Sequence, residues 1–366
     1  MCAHSILLDF LMDPTRFADD NQRNVIFKTI FGELENVFPQ LKTVYEMATE
    51  DGYLYVLAHN NVLIITLRFF NQGVITINVE FYQDEGQEPK LNYTKYISIE
   101  NILKKKLPAK RSKLLPSIKR GGILDIYLTS TDERLLEYDI DKLVFEQQSE
   151  FQKIQIVHSK TLGNMLVLDE LQNIAESDLI YTETLMQRGI ENYKDKEICI
   201  LGGGDGALLY ELLKEEPKFV TMLEIDEIVM QACNKHLRSI CGDVLEKRKG
   251  ANYEIVVADC MAYMKKYVKE GKKFDYVFGD LTDVPISDTP TGEIWDFIRT
   301  ILEHSLKLLK PDGKYLTHAN GATCPEALQM FEEQLKLLTP PVKFTKATAF
   351  VPSFMEHWVF YQVSLA

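Results

Sequence analysis

This chain of 366 residues is short of the features that tie many proteins to disulfides, metals, nucleic acid or membranes. Its six cysteines, Cys2, Cys199, Cys233, Cys241, Cys260 and Cys324, contain no Cys-x-x-Cys pair and several lie in apolar runs, so they read as reduced thiols in a cytoplasmic protein. Its seven histidines show no His-Glu-x-x-His or similar spacing, which leaves a metal site without sequence support. Basic residues are outnumbered: 41 Lys and Arg face 54 Asp and Glu, a net charge of −13. A generic nucleic-acid binder needs the opposite surplus, whereas an acidic protein attracts cations, including small organic ones. No run of about 18 apolar residues occurs, so no membrane span is expected. The opening stretch, Met1 to Phe17, carries Asp9 in its apolar run and lacks a basic start, so it is not expected to act as a signal peptide.

What is present is ordinary globular material. Hydrophobic residues at 46% and charged residues at 26% exclude a disordered or fibrous chain. At about 150 residues per domain the length predicts two or three domains. Residues 21–38 repeat apolar side chains at helical spacing (Val25, Ile26, Ile30, Leu34, Val37, Phe38). The β-branched and aromatic runs Leu54–Ala58, Val62–Phe69 and Val74–Tyr82 predict three strands, with Asn60-Asn61 and Asn71-Gln72-Gly73 as turns. Ser98 is a candidate helix cap, with the helix running to about Lys105. Together these predict a two-layer α/β domain over residues 1–121. Residues 101–120, with eight Lys or Arg and two prolines, read as a solvated connector.

Short strand-like runs at Leu124–Leu128, Leu135–Asp139, Ile154–His158 and Met165–Leu168, with no helical pattern between them, predict a small antiparallel sheet over 122–174. From 175 to 366 strands alternate with helices. The strands are Glu197–Leu201, Phe219–Ile225, Tyr253–Ala258, Phe274–Phe278 and Lys314–His318, then Thr345–Val351 and Trp358–Val363 as an edge hairpin. The intervening helices are Ala207–Lys214, Glu227–His236, Met261–Lys269, Ile294–Leu309 and Glu326–Leu337. The fold class is therefore α/β, with a C-terminal Rossmann-like, doubly wound, mostly parallel sheet.

In such a sheet ligands bind beyond the carboxyl ends of the strands. Gly202-Gly203-Gly204-Asp205-Gly206 follows the first of them and lets backbone approach a ligand closely. Twenty residues after Gly204 stands Glu224, ahead of Ile225-Asp226, placed for ribose hydroxyls. Asp259-Cys260 ends the third strand and Asp280, with Asp283 nearby, ends the fourth. Asp205 would repel a pyrophosphate, so the nucleoside expected is a cationic one of the S-adenosyl sulfonium class. Carboxylates also cap helices at these junctions, yet four strand ends carrying acids favour a cation pocket. An amine substrate, with an ammonium pKa near 10, needs a carboxylate to anchor it and take its proton. His158 and His318 read as structural histidines, and Trp358 as core or pocket lining.

The glycine loop with Glu224-Ile225-Asp226 resembles the polyamine aminopropyltransferase family. So do Phe151-Gln152 through Ser159-Lys160-Thr161, Gly163-Asn164, Leu166-Val167-Leu168-Asp169, and Glu176, Asp178, Tyr181 and Glu183. Gly121-Gly122, Tyr138-Asp139-Ile140-Asp141 and Val351-Pro352-Ser353-Phe354-Met355-Glu356-His357-Trp358 resemble the spermine-forming branch. The resemblance implies a class I methyltransferase-like catalytic domain and transfer of an aminopropyl group from decarboxylated S-adenosylmethionine to spermidine, without a metal or other cofactor. It implies Asp280 as proton acceptor, Tyr181 orienting and helping to deprotonate the amine, and Asp205 holding amine groups. It also implies Glu224 with Asp226 on the ribose side, Asp259 and Cys260 at adenine, Gln152 closing over the nucleoside, and Phe354 and Glu356 along the spermidine tail. The resemblance also places Asp283 as a further acid of the substrate pocket, as in the branch that forms spermidine. The chain departs from the family pattern at Phe354 (Tyr), Gly279 (Asn) and Leu179 (Glu). In the family the N-terminal domain mediates dimerisation and is similar to the S-adenosylmethionine decarboxylase fold, so a homodimer is expected. Other readings are a spermidine or thermospermine synthase, a small-molecule methyltransferase, or a non-catalytic polyamine-binding protein.

Overall fold

The structure, a computed structural model, describes residues 2–17, 19–60, 62–84 and 92–366. It forms two compact units, 1–125 and 126–366. The first boundary falls a few residues beyond the expected 121, and the small sheet expected as a separate domain over 122–174 belongs to the second unit. The reason is a shared core: Ile154, Ile156, Leu166 and Ile174 of that sheet pack with Leu208, Leu209, Met222 and Met230 of the C-terminal part.

The first unit is a two-layer α/β structure. Its elements are β1 (Cys2–Leu11), α1 (Asp20–Val37), β2 (Lys42–Thr49), β3 (Gly52–His59), β4 (Leu63–Phe70), β5 (Val74–Gln83), α2 (Tyr93–Lys106), β6 (Arg111–Leu114) and β7 (Ile118–Arg120). The strands form an antiparallel sheet of order β2-β3-β4-β5-β1-β6, with β7 also on β1. Asp19 caps α1 by accepting from the Asn21 N–H. Ile26, Ile30 and Leu34 bury one stripe of α1 against the sheet, while Val25, of the same predicted pattern, is 65% exposed. α2 begins earlier than expected: Asn92 caps it by accepting from Lys95 N–H, and Ser98 lies inside it. The basic stretch 101–120 is not a connector, because its unpaired backbone is taken up by β1, which pairs with both β6 and β7. Neither β1 nor β2 was legible as a strand. β2 is exposed nearly throughout and so lacks a one-sided apolar pattern. Of the predicted turn Asn60-Asn61, Asn61 lies outside the described residues.

The second unit opens with the pair β8 (Tyr127–Thr129) and β9 (Leu135–Glu137). Next come β10 (Ile140–Gln148), β11 (Lys153–Ser159), β12 (Gly163–Leu168) and β13 (Leu171–Ala175), an antiparallel sheet in sequence order. β10 and β13 were not anticipated. The rest is α3 (Leu179–Leu185), β14 (Glu197–Gly202), α4 (Ala207–Leu213), β15 (Phe219–Glu224), α5 (Glu227–His236), α6 (Arg238–Cys241), β16 (Tyr253–Val257) and α7 (Cys260–Glu270). It continues with β17 (Phe274–Asp280), α8 (Glu293–Leu308), β18 (Leu309–Gly321), α9 (Pro325–Lys336), β19 (Val342–Val351) and β20 (Glu356–Leu365). Their sheet has the order β16-β15-β14-β17-β18-β20-β19. The first five strands run parallel, and β20 is antiparallel to both β18 and β19. This is the expected doubly wound, Rossmann-like architecture. β14 is central, which explains its continuous apolar run, with Ile198 to Leu201 fully buried. Among the described residues no helix is long and apolar enough to cross a membrane.

Candidate active site

The strand order reverses between β14 and β17, and at this switch point a doubly wound sheet opens a crevice. A cavity of about 520 Å³ lies there, within the size range of small-molecule sites. Its floor is the loop after β14. Gly202 holds φ +80°, and a Cβ on it would lie 2.0 Å from the Asp280 carbonyl oxygen, so only glycine lets β14 and β17 stay this close. Gly203 N–H donates to that same carbonyl at 3.3 Å. A Cβ on Gly204 would meet the Glu224 carboxylate at 2.9 Å, so the missing side chain is what lets Glu224 lie across the loop.

The strand-end acids converge on this cavity: Asp205, Glu224, Asp259, Asp280 and Asp283 all line it. Asp205 Oδ1 accepts from Ala207 N–H at 2.7 Å and Glu224 Oε1 from Asp226 N–H at 2.7 Å. Each therefore keeps one oxygen clear of these bonds. Asp259 caps α7 through Met261 N–H at 2.8 Å. Burial pushes the Glu224 carboxyl up to about 7. Burial, then the Asp280 charge, raises Asp205, and burial raises Asp280. The site thus concentrates buried carboxyls whose charged forms burial disfavours. Burial also pushes the Cys260 thiol up to about 12, keeping it neutral where it lines the cavity.

Tyr181, on the short helix α3, donates from its hydroxyl to Asp280 Oδ1 at 3.2 Å. Its ring packs on Phe354 (5.9 Å between centroids) and Phe360 (5.2 Å), and Phe354 packs on Trp358 (4.6 Å). Asp178 fixes this wall: its carboxylate accepts from Ala175 N–H at 2.7 Å and Ser353 N–H at 3.0 Å, tying the start of α3 to the turn that carries Phe354. Burial, with Asp280, Asp283 and Asp205 around it, holds the Tyr181 phenol well above its ordinary value. Tyr181 thus keeps its proton in this arrangement and donates it in the hydrogen bond to Asp280.

Two residues expected in the pocket do not line it. Asp226 is buried beside it, with one oxygen capping α5 at Ile228 N–H (3.0 Å). The other oxygen accepts from Ser149 Oγ (2.7 Å) and Gln152 Nε2 (3.2 Å). Its carboxylate is fully engaged in holding Gln152, which does line the cavity. Glu356 is also buried, but its oxygens accept from Thr131 N–H (2.9 Å), Thr131 Oγ1 (2.8 Å) and Thr323 Oγ1 (3.0 Å). It anchors the β8–β9 turn to β20. Phe354 and Trp358 line the cavity. His318, read as structural, is buried and lines the cavity, its Nδ1 3.2 Å from Asp283 Oδ1. Its place near the carboxyl end of the fifth parallel strand was the available signal, since the strand-end rule was applied only to the first four. His158 is far simpler, paired with Asp141 at 2.7 Å. Among the described residues no group of three or more His, Cys, Asp or Glu is arranged to hold a metal ion.

The arrangement is a crevice lined by these five strand-end carboxylates, one of them holding the Tyr181 phenol. Residues 178–365 match the spermine/spermidine synthase domain, and residues 126–176 match the spermidine synthase tetramerisation domain. The chain belongs to the spermine/spermidine synthase family, enzymes that transfer aminopropyl groups in polyamine biosynthesis. It is 29% identical over 236 residues to a thermospermine synthase of Arabidopsis thaliana, covering 63% of this chain and 66%, just under two thirds, of that protein. It is 31% identical over 226 residues to a polyamine aminopropyltransferase of Pyrobaculum islandicum, covering 60% of this chain and 74% of that one. Its fold is shared with a spermidine synthase solved with the transition-state analogue AdoDATO, at a TM-score of 0.55 and 23% identity over 66% of this chain and 79% of that one.

Proposed function

We propose that this chain is a spermine synthase, transferring the aminopropyl group of decarboxylated S-adenosylmethionine to spermidine and releasing 5′-methylthioadenosine. The observation that carries amine chemistry is the Tyr181–Asp280 contact at the head of the glycine loop, with Glu224 lining the same cavity. Glu224 binds the ribose hydroxyls, and Asp259 and Cys260 border the adenine. Asp205 faces the cationic centres. The attacking nitrogen forms a bond to the aminopropyl carbon on sulfur, the C–S bond breaks, and its electron pair stays on sulfur as a neutral thioether. The proton leaves the nitrogen for Asp280. Burial raises that carboxyl toward the amine it serves, which makes it a better base than a solvated aspartate. Tyr181 holds the accepting carboxylate in place. Positioning supplies the rest, because effective molarity rises steeply once reacting atoms are aligned.

Spermidine as acceptor is supported by the N-terminal unit, which has its own core and lies outside both matched segments, and by the likeness of Val351–Trp358 to the spermine-forming branch. Spermidine or thermospermine synthesis is the second reading, favoured by Asp283 and by the thermospermine synthase among the relatives. A homodimer in the cytoplasm completes the proposal. The match to a tetramerisation domain supports an oligomer, and the buried thiols of five cysteines support a reducing compartment.

The test is a product assay in which decarboxylated S-adenosylmethionine is supplied with spermidine or putrescine. Spermine and methylthioadenosine from spermidine, with little product from putrescine, are expected. Turnover of putrescine alone, or a thermospermine product, overturns the acceptor assignment. Absence of methylthioadenosine with either overturns the reaction.

The raised carboxyls also set a pH dependence. Free acids titrate near 4, whereas Glu224 does so at about 7 in the folded chain and Asp205 and Asp280 are raised in the same direction. The folded state thus holds more protons than the unfolded one, and these groups cost stability as pH rises through that window. A bound cation expels the protons. The donor's affinity is therefore expected to climb from about pH 5.5 to 7.5 and then level off, with up to about tenfold per pH unit for each proton released. Calorimetry in buffers of different ionisation heat checks this, and a flat profile without proton release counts against it.

A further inference from the structure

The transfer step leaves two charged groups of the cavity without a task, Asp283 and His318. His318 stands on β18, its side chain 5% exposed, and Asp283 lies on the loop after β17, its side chain 49% exposed. Nδ1 of the imidazole is 3.2 Å from Asp283 Oδ1, an ion-pair distance. The backbone holds the two together: Val284 N–H donates to the Ala319 carbonyl (2.9 Å) and Asn320 Nδ2 to the Val284 carbonyl (2.6 Å). The imidazole also lies 5.9 Å, ring to ring, from Tyr181, whose hydroxyl holds Asp280. The groups facing His318 are therefore Asp283 from the loop, Asp280 from β17, Tyr181 from α3 and the backbone of Leu281. None is a cation, and every one favours an imidazolium or is neutral toward it.

We infer that His318 is a positioning residue of the acceptor site: as an imidazolium paired with Asp283, it keeps the neighbouring Asp280 ionised and ready to take a proton. The same pair commits Asp283 to the histidine rather than to a substrate ammonium. This rests on Asp280 being the proton acceptor. Burial by itself would favour the neutral ring, but Asp283 and Asp280 outweigh it and raise its pKa, and His318 in turn opposes the burial-driven rise of Asp280. The pair also accounts for an acid at position 283 in a chain we assign to spermidine: its charge is already met.

Two variants and two readouts test it. NMR titration of the histidine Cε1–H signals, with the His318 signal identified by its loss in His318→Gln, is expected to place His318 above 6.5, the ordinary value, and to move it down in Asp283→Asn. In kcat/KM profiles for the acceptor, His318→Gln is expected to shift the acid limb to higher pH, losing about tenfold at pH 6 and about threefold or less at pH 8.5. Asp283→Asn is expected to leave the acceptor KM within about threefold and to move the limb less than His318→Gln does, because it also removes a charge that raises Asp280, and the double variant to be no worse than His318→Gln, as for residues acting as a unit. An unmoved acid limb in His318→Gln overturns the inference. So does an acceptor KM raised about tenfold or more in Asp283→Asn, which hands Asp283 to the substrate. If His318→Gln fails to fold, the titration decides: a histidine signal that moves down in Asp283→Asn supports the pair, and none that moves overturns it. If the wild-type chain turns over no acceptor, the proposed reaction fails, and the histidine titration still decides the ion pair on its own.

Discussion

Replacing Asp280 by Asn is expected to lower kcat/KM for aminopropyl transfer by about 10³-fold, while methylthioadenosine binds within about threefold of wild type, since a positioned general base contributes about 10²–10⁴-fold. Asn keeps the shape of the side chain, and its amide oxygen can still accept from Tyr181 Oη at the 3.2 Å separation seen here. The contact that ties the glycine loop to β17 uses the Asp280 backbone carbonyl, not its side chain, so the loop stays in place. What is lost is a group able to take the proton of the attacking nitrogen. Asp205 gains from the change, because the repulsion that helps to raise it disappears. Donor affinity and turnover therefore separate in this variant. Calorimetry with methylthioadenosine and single-turnover rates read the two. A fall in rate below about tenfold would move proton acceptance to Asp205 or to solvent.

The second large effect is expected from Gly202→Ala. Its Cβ would sit 2.0 Å from the Asp280 carbonyl oxygen and 3.1 Å from Leu281 Cδ2. The first of these is backbone, so relief requires β14 and β17 to part. Overpacking costs about 1–3 kcal/mol, and an L-residue at this positive φ costs about 1 kcal/mol more. At about 2–4 °C per kcal/mol the Tm falls on the order of 5–10 °C. Activity suffers beyond stability, because Asp280 and the glycine loop lose their mutual register, and about 1 Å of misplacement can cost 10²-fold. Gly203→Ala is the control. It has the same φ of +80°, but its Cβ meets only side chains, Ile200 Cγ2 at 3.0 Å and Asp280 Oδ2 at 3.6 Å. It is expected to be the milder of the two by thermal melts and turnover, and the reverse order would show that the close strand approach is not what Gly202 serves.

Much of the catalytic part was legible because the doubly wound sheet writes itself locally. β14 and β17 are buried on both faces and read as apolar runs, and helices such as α5, with Asp226 as its cap, follow at regular intervals. Once strands are placed, the rule that ligands gather at their carboxyl ends finds Gly202 to Asp205, Glu224, Asp259 and Asp280 with no knowledge of the fold's dimensions. Strands without one-sided burial stayed hidden: β2 is exposed, and the basic β6 and β7 are strands only because β1 offers them partners. That pairing is non-local and leaves no periodicity in the sequence.

The fate of individual side chains was a tertiary matter. Asp226 and Glu356 carry the right charge at suggestive positions, yet both carboxylates are consumed by hydrogen-bond donors from distant segments, Ser149 and Gln152 for one, Thr131 and Thr323 for the other. His318 looked ordinary until the loop after β17 brought Asp283 to it. By itself the sequence determined the class of fold, the glycine loop with Glu224 at the end of the next strand and the acid that ends β17, because these follow from periodicity and strand order. Which acids remain free to meet a cation, and which are already satisfied, was decided only by the tertiary structure. A charge's availability depends on what the folded chain places within about 3 Å of it, the range of a hydrogen bond.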